Sequence, residues 1–332
     1  MQQDRLLKIV RRFPERKLLI VGDSIADKFL TGSIARVSRE APVFILRHES
    51  TETVPGGAAN CALNLAALGA KVSLISIAGD DDAGRALRDK LSAAGVNVGG
   101  LVLSDKVQTT TKVRILAGHA HAAKQQVIRV DYEDAPLKDT SLRTAINAQL
   151  KSALNAADAV IISDYNYGLV DQQAIDLVRE AQRAKNIPVL VDSRFRLADF
   201  SGFTAATPNQ DEVEQVLGQS ISSLVQLELL ASRLKEQLQY QALLVTRGSR
   251  GMMLLTDNDL ALHIPAVGTQ AVDGTGAGDT VIATFALALA SDASFTEAAQ
   301  LANHAGGLVV MKRGTASITA AELEHSINDP KA

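Results

Sequence analysis

The stretch whose reading decides this chain is DGTGAGDTVIATFALALA, residues 273–290. Glycines at 274, 276 and 278 alternate with small residues between two aspartates, and an uncharged apolar run follows. The run reads as a buried helix over 277–290. Glycine lacks Cβ, so backbone amides can face a ligand without obstruction. Gly276, Ala277 and Gly278 stand where the first-turn amides of that helix lack partners and the helix dipole adds positive potential. The pattern is a cradle for an anion and suits phosphate. Two other glycine motifs do not fit. No Lys-Ser/Thr follows, as a P-loop requires, and G-x-G-x-G is not the dinucleotide spacing G-x-G-x-x-G.

Asp279 is the unusual residue. A carboxylate beside an anion cradle repels phosphate, which argues against simple binding. Phosphotransfer chemistry supplies a reason for it. Asp279 would accept the proton of an attacking hydroxyl while the amides of 276–278 stabilise the moving charge. The other reading is a glycine-rich turn followed by an aspartate that favours a first helical turn. Spacing alone leaves both open.

Working outward, short apolar runs alternate with helical patterns. LLIV (18–21), VSLISI (72–77), AVII (159–162), VLV (189–191) and LLV (243–245) read as buried strands. Helices are predicted over 57–69, 82–94, 171–185, 295–311 and 320–327, with an outer helix within 219–238. This order predicts an α/β fold with a mainly parallel sheet between two helical layers. Alternating patterns at 28–50 and 98–131 predict antiparallel strands inserted as a small β lid, within one domain spanning 1–332.

The chain has 332 residues, a net charge of -3 and 46% hydrophobic residues, so nothing suggests a nucleic-acid partner. A single cysteine, Cys61, excludes an internal disulfide and a cysteine-based zinc site; it is expected to pack in a helix. The N-terminus MQQDRLLKIVRRF reads as a short amphipathic helix rather than a signal peptide. No stretch is long enough for a membrane span, and a cytoplasmic location is expected.

A second glycine stretch, PGGAANCALNLAALG (55–69), opens a helix with Asn60 in its first turn. Gly56 and Gly57 permit close approach of a polyhydroxy ligand, or simply a turn. Asp23 directly follows the first strand, at the edge where open α/β sheets bind ligands. Asp23 and Asp27 are candidates to accept from sugar hydroxyls, or turn residues. His119 and His121 form an H-x-H pair without an evident third ligand, and a polar loop tip is the expected role.

Together PGGAAN (55–60), TPNQDE (207–212), VTRGSRG (245–251) and DGTGAGD (273–279) resemble the ribokinase-like, phosphofructokinase B type carbohydrate kinases over about 18 to 325. The resemblance implies a ribokinase-like three-layer fold, ATP with Mg²⁺, and Asp279 as the catalytic base beside the 276–278 anion hole. It implies that Asn209 and Glu212 organise magnesium and phosphate, Glu212 partly through water. It places Thr246 and Gly248 on the nucleotide loop, Asn303 beside the adenine, and Asp23, Gly56, Gly57 and Asn60 on the sugar side. A monovalent cation such as K⁺ and a homodimer built through the lid are further expectations of the family.

ARVSREAPV (35–43), TTTKVRIL (109–116), QQVIRVDYE (125–133) and SDYNYG (163–168) resemble more narrowly the D-glycero-β-D-manno-heptose 7-phosphate kinases of lipopolysaccharide-core precursor synthesis. That resemblance implies that Arg114, with Lys112 on the same strand face, contacts the acceptor's phosphate; Arg39, Lys124 and Arg129 are weaker candidates. The nucleotidyltransferase domain fused to some of these kinases is expected to be absent. The chain departs from the group at Arg39, Tyr167, Ser193-Arg194 and Gly248, and arginine is not a neutral replacement for lysine at a phosphate contact. Another sugar or sugar phosphate as acceptor, or a non-catalytic sugar sensor, are the competing readings. A dehydrogenase would want its glycine fingerprint where this chain has GDSIAD.

Overall fold

The computed structural model describes residues 2–119, 124–134, 136–257, 260–268 and 271–329. The chain begins with α1 (Gln2–Val10), β1 (Lys17–Gly22), β2 (Ser24–Val37), β3 (Phe44–Gly57), α2 (Ala58–Ala67), β4 (Lys71–Gly79), α3 (Asp82–Ala93) and β5 (Asn97–Ser104). It continues with β6 (Thr111–Gly118), β7 (Gln125–Tyr132), α4 (Thr140–Leu154), β8 (Ala159–Asp164), α5 (Gln172–Lys185), β9 (Val189–Ser193) and β10 (Ala205–Ala206). It closes with α6 (Gln210–Leu217), α7 (Leu224–Gln237), β11 (Ala242–Thr246), β12 (Met252–Thr256), β13 (Leu262–Ile264), α8 (Ala277–Ala290), α9 (Phe295–Val309) and α10 (Ala320–Asn328).

The central sheet runs β13-β12-β11-β10-β9-β8-β1-β4-β5, parallel from β5 to β11 and antiparallel at β12 and β13. The strand run LLIV shows why two helical layers are needed. Successive side chains point to opposite faces. Leu18 and Ile20 join a core with α2, α8 and α9, while Leu19 and Val21 join a second core with α4, α5 and α7. Helix α8 is buried nearly all round, as the uncharged apolar run after Asp279 demands.

Strands β3-β2-β6-β7 form a separate four-stranded lid. The first lid segment runs from Ser24 to Gly57, beyond the predicted limits of 28–50. The predicted lid segment 98–131 divides. Residues 98–104 lie in β5, which pairs parallel with β4 at the edge of the central sheet, so only β6 and β7 belong to the lid. Sequence alternation signals a half-exposed strand but not which sheet it joins. Helix α4 was not anticipated: its polar face outnumbers its apolar one, and only an Asp139 cap marks its start. The edge pair β12–β13 was also missed.

Strand β1 has β4 on one side and β8 on the other, the point where successive strands diverge and a crevice opens beyond their carboxyl ends. Asp23 and Asp164 stand at its rim. Among the described residues, no helix is long and apolar enough to cross a membrane.

Candidate active site

The first turn of α8 lies at this rim. Gly276 caps the helix with φ +75°, and no side chain covers the exposed amides. A Cβ there would stand 2.6 Å from Asn60 Nδ2, so glycine is required both by backbone and by space. The Ala277 N–H turns back to the Gly274 carbonyl at 3.2 Å, which removes one of the three amides expected to face an anion. No protein acceptor takes the Gly278 N–H among the described residues, and nothing lies within 4 Å of a Cβ placed there.

Asp279 is 4% exposed. Asn60 Nδ2 donates to its Oδ2 at 2.8 Å, and the Tyr165 hydroxyl donates to its Oδ1 at 3.3 Å. Burial pushes its carboxyl up to about 7; the Asn60 and Tyr165 bonds oppose that, Asp27 adds to it, and Lys112 opposes it. Asn60 is itself buried and takes a bond from Asn64 Nδ2 on its Oδ1 at 3.3 Å. The result is a fixed carboxylate that changes charge near neutrality.

Two cavities meet at this point. One, of about 360 Å³, is polar and holds Asp27, Gly57, Lys112, Arg114, Arg194 and Asp279 among its lining. The other, of about 460 Å³, is apolar, with Met252, Val267, Val281 and Val310 in its walls. Asn209, Thr246, Gly274 and Gly278 line both. Thr207 and Thr315 belong to the wall of the polar cavity, and their hydroxyl oxygens are buried without a protein partner.

The remaining candidates fall unevenly. Asn209 caps α6 in a reciprocal box: its Oδ1 takes the Glu212 N–H at 2.9 Å, and Glu212 takes the Asn209 N–H at 2.8 Å. Thr246 bridges to this loop, its N–H donating to Pro208 O at 2.9 Å. Gly248 has φ +56° and lines the apolar cavity with Asn303, whose amide donates to Pro265 O at 2.7 Å. Gly57 lines the polar cavity with φ +58°, and a Cβ on Gly56 would meet Asp27 Oδ2 at 2.4 Å.

Asp23 is placed elsewhere. Its carboxylate accepts the backbone N–H groups of Tyr165 (2.8 Å), Tyr167 (3.2 Å) and Leu169 (3.3 Å), and it lines a separate small cleft. Burial first, then the Asp164 charge, raise it to about 6. Asp27 is paired rather than free: Arg114 donates to its Oδ1 at 2.9 and 3.2 Å. Lys124 pairs with Glu49, Arg129 pairs with Asp131 while lining the polar cavity, and Arg39 is exposed. His119 is exposed, and His121 lies outside the described residues.

Sequence reasoning gave no role to two groups here. Tyr165 touches Asp279, and Asp192 adjoins Arg194 at the end of β9. The Asp192 carboxyl is driven well up by burial, then by Glu212, Asp279 and Asp164; Glu212 is raised too, chiefly by burial. The rule that flagged Asp23, an aspartate at the carboxyl end of a parallel strand, applies equally to Asp192.

Residues 18–321 match the family described as "pfkB family carbohydrate kinase". The chain belongs to this family. It is therefore an ATP-dependent sugar kinase by membership, on a ribokinase-like fold. It is 41% identical over 318 residues to the "Bifunctional protein HldE" of Pseudomonas syringae pv. syringae, covering 95% of this chain but 64% of that protein. The chain thus spans less than two thirds of the length of the curated relatives it matches. Among solved structures, phosphofructokinase-2 from Escherichia coli with substrates and products superposes with a TM-score of 0.77 at 19% identity, covering 94% of this chain and 98% of that one. Arabidopsis thaliana ribokinase with ribose and ATP gives 0.73 at 18% identity, covering 94% and 98%. Likeness at such identity speaks to the fold alone.

Proposed function

We propose that this kinase transfers the γ-phosphoryl group of ATP to the anomeric hydroxyl of D-glycero-β-D-manno-heptose 7-phosphate. The observation that carries the reading is the position of Asp279, buried at the meeting of an apolar and a polar cavity with Gly278 common to both. The apolar cavity suits the nucleotide base, with Asn303, Thr246 and Gly248 around it. The polar cavity suits a sugar phosphate: Lys112, Arg114, Arg129 and Arg194 supply cationic walls, and Asp27, Gly57 and Asn60 stand near the hydroxyls. The choice of heptose rests on the lid and strand motifs at 35–43, 109–116 and 163–168, and on the likeness to the HldE proteins.

In this reading the acceptor hydroxyl gives its proton to Asp279 as it attacks phosphorus. Deprotonated Asp279 is the working form, so activity rises as pH passes through about 7. Asn60 holds one carboxylate oxygen in place by donating to Oδ2. The Gly278 amide and the positive end of α8 offset charge on the transferring group. Enclosing the site beneath the lid keeps water from competing as acceptor.

Magnesium fits the donor set as a hydrated ion. Among the described residues no three His, Cys, Asp or Glu side chains stand close enough to grip a metal directly. Asp192 is nevertheless held up in the protonated direction by burial and then by the Glu212 charge, and Glu212 by burial and then by Asp211, so a cation brought with nucleotide phosphates would relieve the crowded negative charge. Bound there, Mg²⁺ would neutralise phosphate charge, with Asn209 and Glu212 holding its waters. A rate dependent on K⁺ and a cytoplasmic location complete the reading.

A homodimer through the lid is part of the same proposal. Edge strand β7 is exposed along its whole length, with Val127, Ile128, Val130 and Tyr132 on it, and an unpaired apolar edge invites a second strand. A monomeric mass at micromolar concentration refutes it.

The deciding assay is ADP release with Mg-ATP across heptose 7-phosphates of both anomers, fructose phosphates, ribose, fructose and nucleosides. Turnover confined to the β-heptose 7-phosphate is expected. Preference for another acceptor would overturn the specificity and keep the phosphotransfer. Asp279→Asn is expected to lose nearly all turnover while still binding ATP; parent-like turnover would overturn the base assignment.

A further inference from the structure

Asp279 is held from two sides, and the second side leads away from the cavity. Tyr165, which donates to Oδ1, starts the loop 165–169 between β8 and α5. That loop hangs on Asp23, whose Oδ2 takes the N–H of Tyr165 and Tyr167 and whose Oδ1 takes that of Leu169. Asp23 is 4% exposed, and its bonds point to the loop rather than into the polar cavity.

The tyrosine ring is boxed on its other sides. Lys112 Nζ, on lid strand β6, lies 5.5 Å from the ring centroid. A Cβ on Gly57 would stand 3.1 Å from Tyr165 Cε2 and 2.7 Å from the Asp23 carbonyl, so glycine there lets strand, loop and ring close together. The Tyr167 hydroxyl donates to Glu133 at the end of lid strand β7. One loop thus touches the base, the floor of the sheet and the lid.

We propose that Tyr165 is a positioning residue for the base, and that Asp23 acts through it by fixing the loop that carries it. The inference rests on Asp279 being the base. Two donors fix the plane of a carboxylate; with Asn60 alone it pivots about one bond, and its free lone pair wanders from the attacking hydroxyl. Asp23 then serves the reaction without touching the sugar. The Lys112 contact ties lid position to base orientation, since the lysine rides on β6.

The test has a readout that mere structural support would not move. Groups facing Asp279 are Asp27 from β2, Lys112 from β6, Tyr165 from the loop, Asp192 from β9, and the buried Cys61 thiol and neutral Asn60 from α2. A phenol donating to the carboxylate favours its charged form. Tyr165→Phe removes that donor and leaves the ring, so Asp279 keeps its proton to higher pH. In the full chain, kcat is measured by ADP release across pH on both sides of neutrality. The expected result is a fall of about three- to tenfold at neutral pH, an acid limb displaced upward by about half a pH unit, and an unchanged KM for ATP. A profile that superimposes on the parent's overturns the proposal. So does a lowered melting temperature with an unmoved acid limb, which marks a packing role.

Asp23→Asn replaces one accepting oxygen by a donor and should displace the limb in the same direction; a parent-like profile overturns the role of Asp23. If that variant does not fold, Tyr165→Phe decides alone. Loss of turnover in Asp279→Asn with an unmoved Tyr165→Phe limb overturns the positioning role and spares the base. Full turnover in Asp279→Asn removes the ground for both.

Discussion

Gly276→Ala tests whether the geometry around Asp279 sets the rate. At φ +75° an alanine costs about 1–2 kcal/mol relative to glycine, which falls on folding stability. The new Cβ also lands 2.6 Å from Asn60 Nδ2 and 3.2 Å from Thr315 Cγ2. Asn60 has little room to retreat, because it is 1% exposed and bonded through both ends of its amide. Moving it breaks the 2.8 Å bond to Asp279 Oδ2. A hydrogen bond to a charged group contributes about 1.5–3 kcal/mol. Were that lost from the transition state, kcat would fall about ten- to 150-fold. ADP release at saturating ATP and acceptor measures it, with a thermal melt on the same sample. Asn60→Ala should reproduce the kcat loss without the backbone strain. The double variant should lose little more than either single one, since both remove one bond. A Gly276→Ala enzyme within about threefold of parental kcat, though destabilised, would refute the reasoning.

Gly278→Ala makes the opposite pairing: no atom lies within 4 Å of its Cβ, and alanine favours the helix by up to about 1 kcal/mol, so the melting temperature should hold or rise. Its methyl enters the passage shared by both cavities, and kcat/KM for ATP should drop about tenfold or more; an unchanged kcat/KM would show that phosphate does not pass there. Asp279→Asn should separate stability from activity. The folded-state value of about 7 lies above the ordinary 3.8, so this group's contribution to stability is full below the ordinary value and is lost as pH rises through about 7. The inactive variant should therefore melt above the parent on the alkaline side of neutrality, and the gap should close toward acid pH; a pH-independent gap would refute the buried-charge account.

What the sequence disclosed and what it hid follow from the range of the interactions. LLIV, AVII and VLV announced parallel strands because their pattern is local, and the alternation of Leu18/Ile20 with Leu19/Val21 delivered both helical layers. Gly276 was legible because positive φ and close approach are written directly as glycine; that the Ala277 amide turns back to Gly274 was not. Segment 98–104 went to the wrong sheet because a partner strand is chosen by long-range packing, not by alternation.

The carboxylates divide the same way. Position at the end of β1 singled out Asp23, but position does not say which way a side chain points. Its acceptors face three amides that lie 142 to 146 residues away, and no local pattern encodes that. Asp27 pointed to the cavity but met Arg114 across the lid, 87 residues on. A phosphate that draws Arg114 away would leave Asp27 free for a hydroxyl, so acceptor binding and exposure of Asp27 are coupled through one guanidinium. Arg114→Met would then leave Asp27 buried and unpaired at 5% exposure, where a charge without a partner is costly. The variant should lose stability as well as acceptor affinity, and adding Asp27→Asn should restore the stability without restoring the affinity. Melting curves and the acceptor KM separate the two effects; recovery of both would mean that Arg114 serves only to hold Asp27.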